Sequence, residues 1–235
     1  MRDANTLHYL PILTTLISAI FSTVLFRAAI TRKSGPHLWW WAFGVAAYGL
    51  GTLIEATITL SGNTVFLTKA WYIAGALLGG YPLAQGVAWL LMPREKARRL
   101  TLITVPFLIL AAIFVWLSPV DLSHLEAQRP TGSILVWHWV RLLTPFLNLY
   151  AFVILVGGAF ASVRYYRKTG TNPERVMGNI LIGVGGILPG IGGSMAKAGI
   201  VEALYVGELM GIILIWIGYG VIATRKSMRA QSQAA

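Results

Sequence analysis

Seven apolar runs, each near the roughly 20 residues a helix needs to cross a bilayer, divide the chain at 8–29, 38–60, 67–91, 100–118, 134–163, 176–197 and 202–223. A backbone facing lipid must satisfy its own N–H and C=O groups, which a helix does internally. The expected fold is therefore all-α, a bundle of seven transmembrane helices. The 235 residues are 56% hydrophobic and 11% charged, where a soluble domain carries roughly 25% charge. No polar stretch is long enough to make a second domain, so one domain, 1–235, is expected. The first run reads as a retained helix. It is too long for a signal peptide, and its basic residues Arg27, Arg32 and Lys33 follow it.

Counting charges on alternate sides orients the bundle. Fourteen of the 19 basic residues fall on one side: Arg27, Arg32 and Lys33; Arg94, Lys96, Arg98 and Arg99; Arg164, Arg167, Lys168 and Arg175; Arg225, Lys226 and Arg229. Only Glu95 and Glu174 of the eight acids join them. This asymmetry is the positive-inside pattern. It implies an N-terminus outside and a C-terminus in the cytoplasm, in a bacterial-type plasma membrane. The net charge of +11 is thus a topology signal, with attraction to anionic lipid as a consequence and nucleic acid excluded as a partner. Trp39, Trp40, Trp41 and Trp89 fall at the inner interface, and Trp71, Trp116, Trp137 and Trp139 at the outer one, as an aromatic belt.

Local signals refine the layout. Asn172-Pro173-Glu174 reads as N-cap, first-turn proline and first-turn acid. Gly186, Gly190, Ser194 and Ala198 repeat every four residues, as do Gly207 and Gly211, so small faces are expected to join the sixth and seventh helices. Pro145 and Pro189 are expected to kink their helices. Tyr81, Gln85 and Trp89 form a stripe on the inner half of the third helix, read as packing or as an inner gate. The polar loop at roughly 119–133 is placed to cover the outer mouth.

The function-bearing pattern is charge in or at the lip of hydrocarbon. Glu55, Lys69, Arg141, Lys197, Glu202 and Glu208 all fall in the outer half. Mid-membrane charge costs about 2.5–3.5 kcal/mol per residue on insertion scales, so the deep ones need partners or a polar cavity. His138, Arg141, Pro145 and Asn148 share a face of the fifth helix, with Arg141 about 10 Å below its start. Tyr48, Thr52, Glu55 and Thr59 share a face of the second. The expectation is a ligand or proton pocket of Glu55, Arg141, Glu208, His138, Tyr72 and Tyr205. Lys69, Lys197 and Glu202 form its rim, and Arg141 pairs with Glu55 or Glu208. Against it stands the reading that the charges only fix helix register, and that Lys69, Lys197 and Glu202 snorkel to the headgroups.

Other chemistry lacks its parts. The chain has no cysteine, which removes disulfides and thiolate metal sites. Of its four histidines only His138 lies inside a span, where a bis-histidine haem needs two on facing helices. No nucleophile, metal or phosphate-binding motif is present, so no catalytic residue, metal or cofactor is expected and the chain is read as non-enzymatic.

Two layouts resemble known families. Lys69-Ala70-Trp71-Tyr72-Ile73-Ala74 echoes Glu202-Ala203-Leu204-Tyr205-Val206-Gly207, and Gly44-Val45-Ala46-Ala47 echoes Gly183-Val184-Gly185-Gly186. That resembles the parallel repeat of SWEET sugar transporters, although the second helix lacks proline. Pro189 with its downstream glycines, then Trp216-Ile217-Gly218-Tyr219-Gly220 before Arg225, resembles the last two helices of microbial rhodopsins. Trp216 stands where the retinal lysine would be, so a retinal Schiff base at that position is excluded.

The functional expectation is a membrane protein with an outward-facing polar pocket that binds or translocates a small polar molecule or proton, transporter- or receptor-like. The alternatives are a structural subunit of a larger membrane complex and a rhodopsin-like protein without the retinal lysine. Expected partners are the lipid bilayer, a small polar ligand, and a membrane-protein partner or second copy.

Overall fold

A computed structural model describes residues 6–32 and 35–232, with side chains to Thr224. Arg2, Asp3 and Lys33, and the side chains of Arg225, Lys226 and Arg229, lie outside the described residues. After a 3-10 turn (Thr6–Tyr9) the elements are α1 (Leu10–Arg32), α2 (Pro36–Ser61), α3 (Val65–Trp71), a π-helical turn (Tyr72–Leu77), α4 (Tyr81–Leu91), α5 (Arg94–Leu117), α6 (His138–Thr169), α7 (Pro173–Lys197) and α8 (Glu202–Ser232). No strand forms among the described residues. Seven helical stretches are long and apolar enough to cross a membrane, with α3, the π turn and α4 counting as one, Val65–Leu91. They are compatible with a membrane protein. So is their surface: α5 exposes Leu102, Ile103, Leu110 and Leu117 while burying Ala97 and Ala111, the reverse of a soluble helix.

Several boundaries depart from the sequence reading. The third run is not one continuous α-helix. Proline lacks an N–H and its ring displaces the carbonyl four residues back, so Pro82 prevents an α-helical bond to Leu78. Gly75, Gly79 and Gly80 tolerate the adjustment. The chain widens instead into the π turn, with Leu78 N donating to Ile73 O at 3.0 Å. α5 starts at Arg94 because its basic turns are helical. α6 starts only at His138 because Ile134 and Leu135 are buried as part of the preceding loop. Pro173 opens α7 as expected, but Asn172 adopts a left-handed φ of 54°. Its backbone carbonyl, not its side chain, accepts from Arg175 N at 2.9 Å.

The chain divides into two compact units, Met1–Ile154 and Leu155–Ala235. In the first, α1 and α2 run antiparallel on small polar contacts. Ser22 Oγ donates to Ala42 O (3.4 Å), Thr15 Oγ1 meets Thr52 Oγ1 (3.0 Å), and Thr59 Oγ1 donates to His8 O (3.3 Å). A Cβ on Gly49 would sit 2.9 Å from Ser18 Cβ, so glycine is what allows this approach. On the other side of α2, Gly51 packs on Gly75 and Gly44 on Leu83. The core then gathers Tyr72, Leu77 and Tyr81 with Leu108, Ala111 and Val115 of α5, Val140 and Leu147 of α6, and Ile134 and Leu135 of the loop.

That loop is docked. Asp121 N donates to Ile134 O (2.9 Å) and Val136 N to Pro119 O (3.0 Å). Asn63 in the α2–α3 turn donates from Nδ2 to Glu126 O (2.8 Å) and Arg129 O (3.0 Å). Asp121 caps the 3-10 turn Leu122–His124, accepting from Ser123 Oγ (2.6 Å) and Ser123 N (2.9 Å). The Ser123 hydroxyl and amide bonds hold its carboxyl below the usual carboxylate range. Its folded pKa thus lies under the unfolded one, so the cap is fully in place above the ordinary range and is lost as pH falls through the depressed value. Amide exchange at Ser123, measured against neighbouring loop amides, is expected to rise only in acid. A ratio that stays flat on acidification contradicts this.

In the second unit α7 and α8 form an antiparallel hairpin whose backbones nearly touch. A Cβ on Gly185 would fall 2.7 Å from Gly211 O, one on Gly211 2.8 Å from Gly185 O, and one on Gly207 2.7 Å from Leu188 O. Gly178 and Gly218 meet in the same way, and Gly192 lies on Ala203. Gly207 and Gly211 therefore lie in the seam as expected, but the expected stripe Gly186-Gly190-Ser194-Ala198 does not form it. Gly186 lies against Leu155 and Val156 of α6, and Gly190 has nothing within 4 Å. The α7 seam is Gly178-Gly185-Gly192. A seven-residue step drifts about 20° around the helix, whereas a four-residue step drifts about 40°. Only the former stays on a partner along the whole length.

Candidate functional site

Among the described residues of the first unit, Glu55 is the most enclosed charge-bearing group, 2% exposed on α2. Its Oε1 accepts from the Trp71 indole Nε1 at 2.7 Å. The bond depends on the local backbone. Gly51, one turn earlier on α2, lets the helix approach Gly75 of the π turn, where a Cβ on Gly51 would lie 3.1 Å from Gly75 Cα. Trp71, last residue of α3, is thereby turned inward, its Nε1 3.3 Å from where a Gly75 Cβ would stand. Trp71 was expected in the outer aromatic belt. It is half-buried and hydrogen-bonded to a carboxyl, whereas Trp116 and Trp139 remain about half exposed. π turns in helices are frequently found at functional sites, because they leave backbone groups out of the α pattern.

The next residue, Tyr72, is also buried, and its hydroxyl shares a 2.8 Å hydrogen bond with Thr144 Oγ1 of α6. Arg141, one turn before Thr144, acts electrostatically on that hydroxyl. The Trp71 and Tyr72 rings meet edge to face, with centroids 6.4 Å apart. Gly132 of the docked loop lies directly on the Tyr72 ring. Glu55–Trp71 and Tyr72–Thr144 are thus two neighbouring polar pairs, joined through the consecutive residues Trp71 and Tyr72, with the docked loop over the second.

Other expected site residues fall differently. Because α6 begins at His138, Arg141 lies about 4.5 Å along it rather than 10 Å. The expected pairing of Arg141 with Glu55 is absent: among the described residues of this unit, no carboxylate engages Arg141. The loop acid Glu126 is held by Arg129, and Asp121 faces His124. His138 is exposed at the start of α6, as are Pro145 and Asn148, while Val140, Leu147 and Ala151 turn into the core. Lys69 donates from Nζ to Trp116 O and Ser118 O, both at 2.8 Å. It caps the carboxyl end of α5, where a cation suits exposed carbonyls and the helix dipole. In the second unit Tyr205 is buried and Glu208 half-buried on α8. Glu202 sits in the first turn of α8 and Lys197 in the last turn of α7, each matched to its dipole end.

A second polar group was visible in the sequence only as the stripe Tyr81-Gln85-Trp89. Gln85 is fully buried between α4, α5 and α6. Its Nε2 donates to Thr101 Oγ1 (2.6 Å), and its Oε1 accepts from Tyr150 OH (2.6 Å). Trp89 Nε1 also donates to Thr101 Oγ1 (3.0 Å), whose own proton goes to Ala97 O (2.9 Å). Thr104 donates to Leu100 O, so the 2.6 Å contact of Tyr81 OH with Thr104 Oγ1 has tyrosine as donor. Each of these donors has an acceptor, which suits a lock between helices. Gln85→Leu strands the Tyr150 hydroxyl and is expected to destabilise by about 2 kcal/mol. Tyr150→Phe leaves the buried Gln85 Oε1 without its donor and is expected to cost a similar amount, and the double variant less than the sum of the two. Thermal unfolding in detergent compares the three, and additive losses would contradict the network.

Signals for Trp71, Thr144, Thr101 and Tyr150 were lacking because each acquires its role from a partner on another helix. Comparison with models of known protein families, with curated proteins and with solved structures finds no match. Neither the SWEET-like nor the rhodopsin-like layout therefore gains a relative.

Proposed function

We propose that this chain is an integral membrane protein, N-terminus outside and C-terminus cytoplasmic, whose first unit binds or translocates a proton or small polar molecule at a site centred on Glu55. The observation that carries the reading is a carboxyl group 2% exposed, held by an indole N–H beside a π-helical turn. Ionisable groups in a membrane span are costly, and they mark substrate, ion and proton pathways. A pure register lock would be served as well by an uncharged acceptor. Trp71 orients the carboxyl, Tyr72 and Thr144 supply neighbouring hydroxyls, Arg141 supplies positive charge at the rim, and the docked loop limits access.

The test is reconstitution into liposomes carrying a trapped pH dye, with a pH gradient imposed across the membrane. The wild type is expected to dissipate the gradient faster than empty liposomes, directly or on addition of small polar solutes, and Glu55→Gln to match the empty ones. Equal rates for wild type and variant, with every solute, would leave Glu55 with a structural role only.

A further inference from the structure

At the end of α2 away from Glu55, the end of α1 and the start of α2 line a groove of about 760 Å³, within the range of small-molecule sites. Its walls are apolar: Ala29, Ile30, Gly35, Pro36, Trp39, Trp40 and Phe43. Gly35, at φ 115°, makes the turn that opens it, in a conformation that other residues avoid. The aromatic wall is braced from behind. Phe26 meets Trp39 and Phe43 at 6.0 and 5.2 Å between centroids, and Trp40 meets Tyr81 edge-on at 6.2 Å. Trp39 remains 42% exposed and Ile30 62%.

The mouth carries one sign of charge. Arg27 precedes Ile30 by three residues and Arg32 follows Ala29 by three, so the two arginines flank the lining residues of α1 on either side, each one turn from one of them. Both are exposed, and neither makes an ion pair among the described residues. The same end of this unit presents Arg94, Lys96, Arg98 and Arg99, and its one described acid, Glu95, is taken by Arg99. A second copy of the chain would bring the same arginines to the mouth and repel. An occupant with an apolar tail and a phosphate complements it.

We infer that the groove is a binding site for an anionic phospholipid, with an acyl chain along Trp39 and Phe43 and the headgroup phosphate between Arg27 and Arg32. Exposed indoles favour the headgroup level, and basic side chains near an anionic leaflet each gain attraction there. The inference rests on the helices lying in a bilayer, but not on Glu55.

Native mass spectrometry of the full chain, released from nanodiscs of equal parts phosphatidylglycerol and phosphatidylcholine, tests it. The wild type is expected to retain one phosphatidylglycerol. The double variant Arg27→Gln/Arg32→Gln should lose it by roughly 30-fold, about fivefold per arginine. Ile30→Trp fills the groove with both arginines in place and should lose it as well. Arg94→Gln/Arg98→Gln removes equal charge from the same end and should retain it. Thermal unfolding verifies that each variant is folded. The inference is overturned by equal retention of the two lipids, by equal loss in both double-arginine variants, or by unchanged retention in Ile30→Trp. A dimer that Ile30→Trp abolishes would overturn it in favour of a second copy.

Discussion

Gly211→Leu is expected to destabilise the second unit by about 3 kcal/mol or more, the upper range for overpacking a close-fitted contact. The first atom of the new side chain would lie 2.8 Å from Gly185 O and 3.1 Å from Pro189. The first of these is backbone and cannot rotate away. Relief requires α7 and α8 to separate, which also forfeits the approach between Gly178 and Gly218 and between Gly192 and Ala203. Gly185→Leu meets the same obstacle from the other side and should cost a similar amount. The two together should cost less than their sum, because one separation accommodates both. Gly190→Ala, on α7 with nothing within 4 Å, should be neutral or stabilising by about 0.5 kcal/mol through helix propensity. Unfolding in detergent, followed by helical signal, measures all four variants. A loss at Gly190 equal to that at Gly211 would contradict the seam.

How the sequence led to Gly207 and Gly211 but past Gly178, Gly185 and Gly192 shows what a linear pattern carries. The seven spans were legible because length and apolarity are properties of one segment. The four-residue stripe from Gly186 to Ala198 was equally visible, yet the seam runs at seven residues, since only packing selects which periodicity is used. The apolar run from 134 places Arg141 too deep for a related reason. Ile134 and Leu135 are apolar because the loop before α6 buries them in the core, not because they belong to a membrane helix. The cost of charge in an apolar run singles out Glu55 in the sequence, whereas its hydrogen bond to Trp71 has no sequence signal. Trp71 reads as an interfacial residue until the π turn, imposed by Pro82 and the nearby glycines, turns its indole toward α2. The polarity of the loop at 119–133 is plain in the sequence, and its contacts to Asn63 and Tyr72 appear only in the fold.

Glu55→Gln is the second large effect, and it falls on function rather than stability. Glutamine keeps a carbonyl oxygen that can accept from Trp71 Nε1, so the helix contact is retained and unfolding should shift by less than about 1 kcal/mol. Proton exchange at the position is lost, and with it the gradient dissipation or solute uptake proposed for the protein. Glu55→Leu removes the acceptor too, leaving the Trp71 N–H buried without it, and should lose about 1–3 kcal/mol of stability as well as activity. Trp71→Phe should lower activity while leaving Glu55 able to titrate, as expected of a residue that positions the carboxyl. A uniform loss of stability across Gln, Leu and the Trp71 variant would instead mark a register lock.

The most direct measurement follows the indole N–H resonances of the nine tryptophans in nanodiscs, with nitrogen-15 labelling, as pH is varied. Protonation of Glu55 changes the acceptor of Trp71 Nε1. In the wild type the Trp71 resonance, identified by its absence in Trp71→Phe, is therefore predicted to move along a titration curve. In Glu55→Gln it is predicted to stay still. A Trp71 resonance that is fixed in the wild type over the pH range the fold survives, or that moves equally in both proteins, would contradict a proton-exchanging site at Glu55.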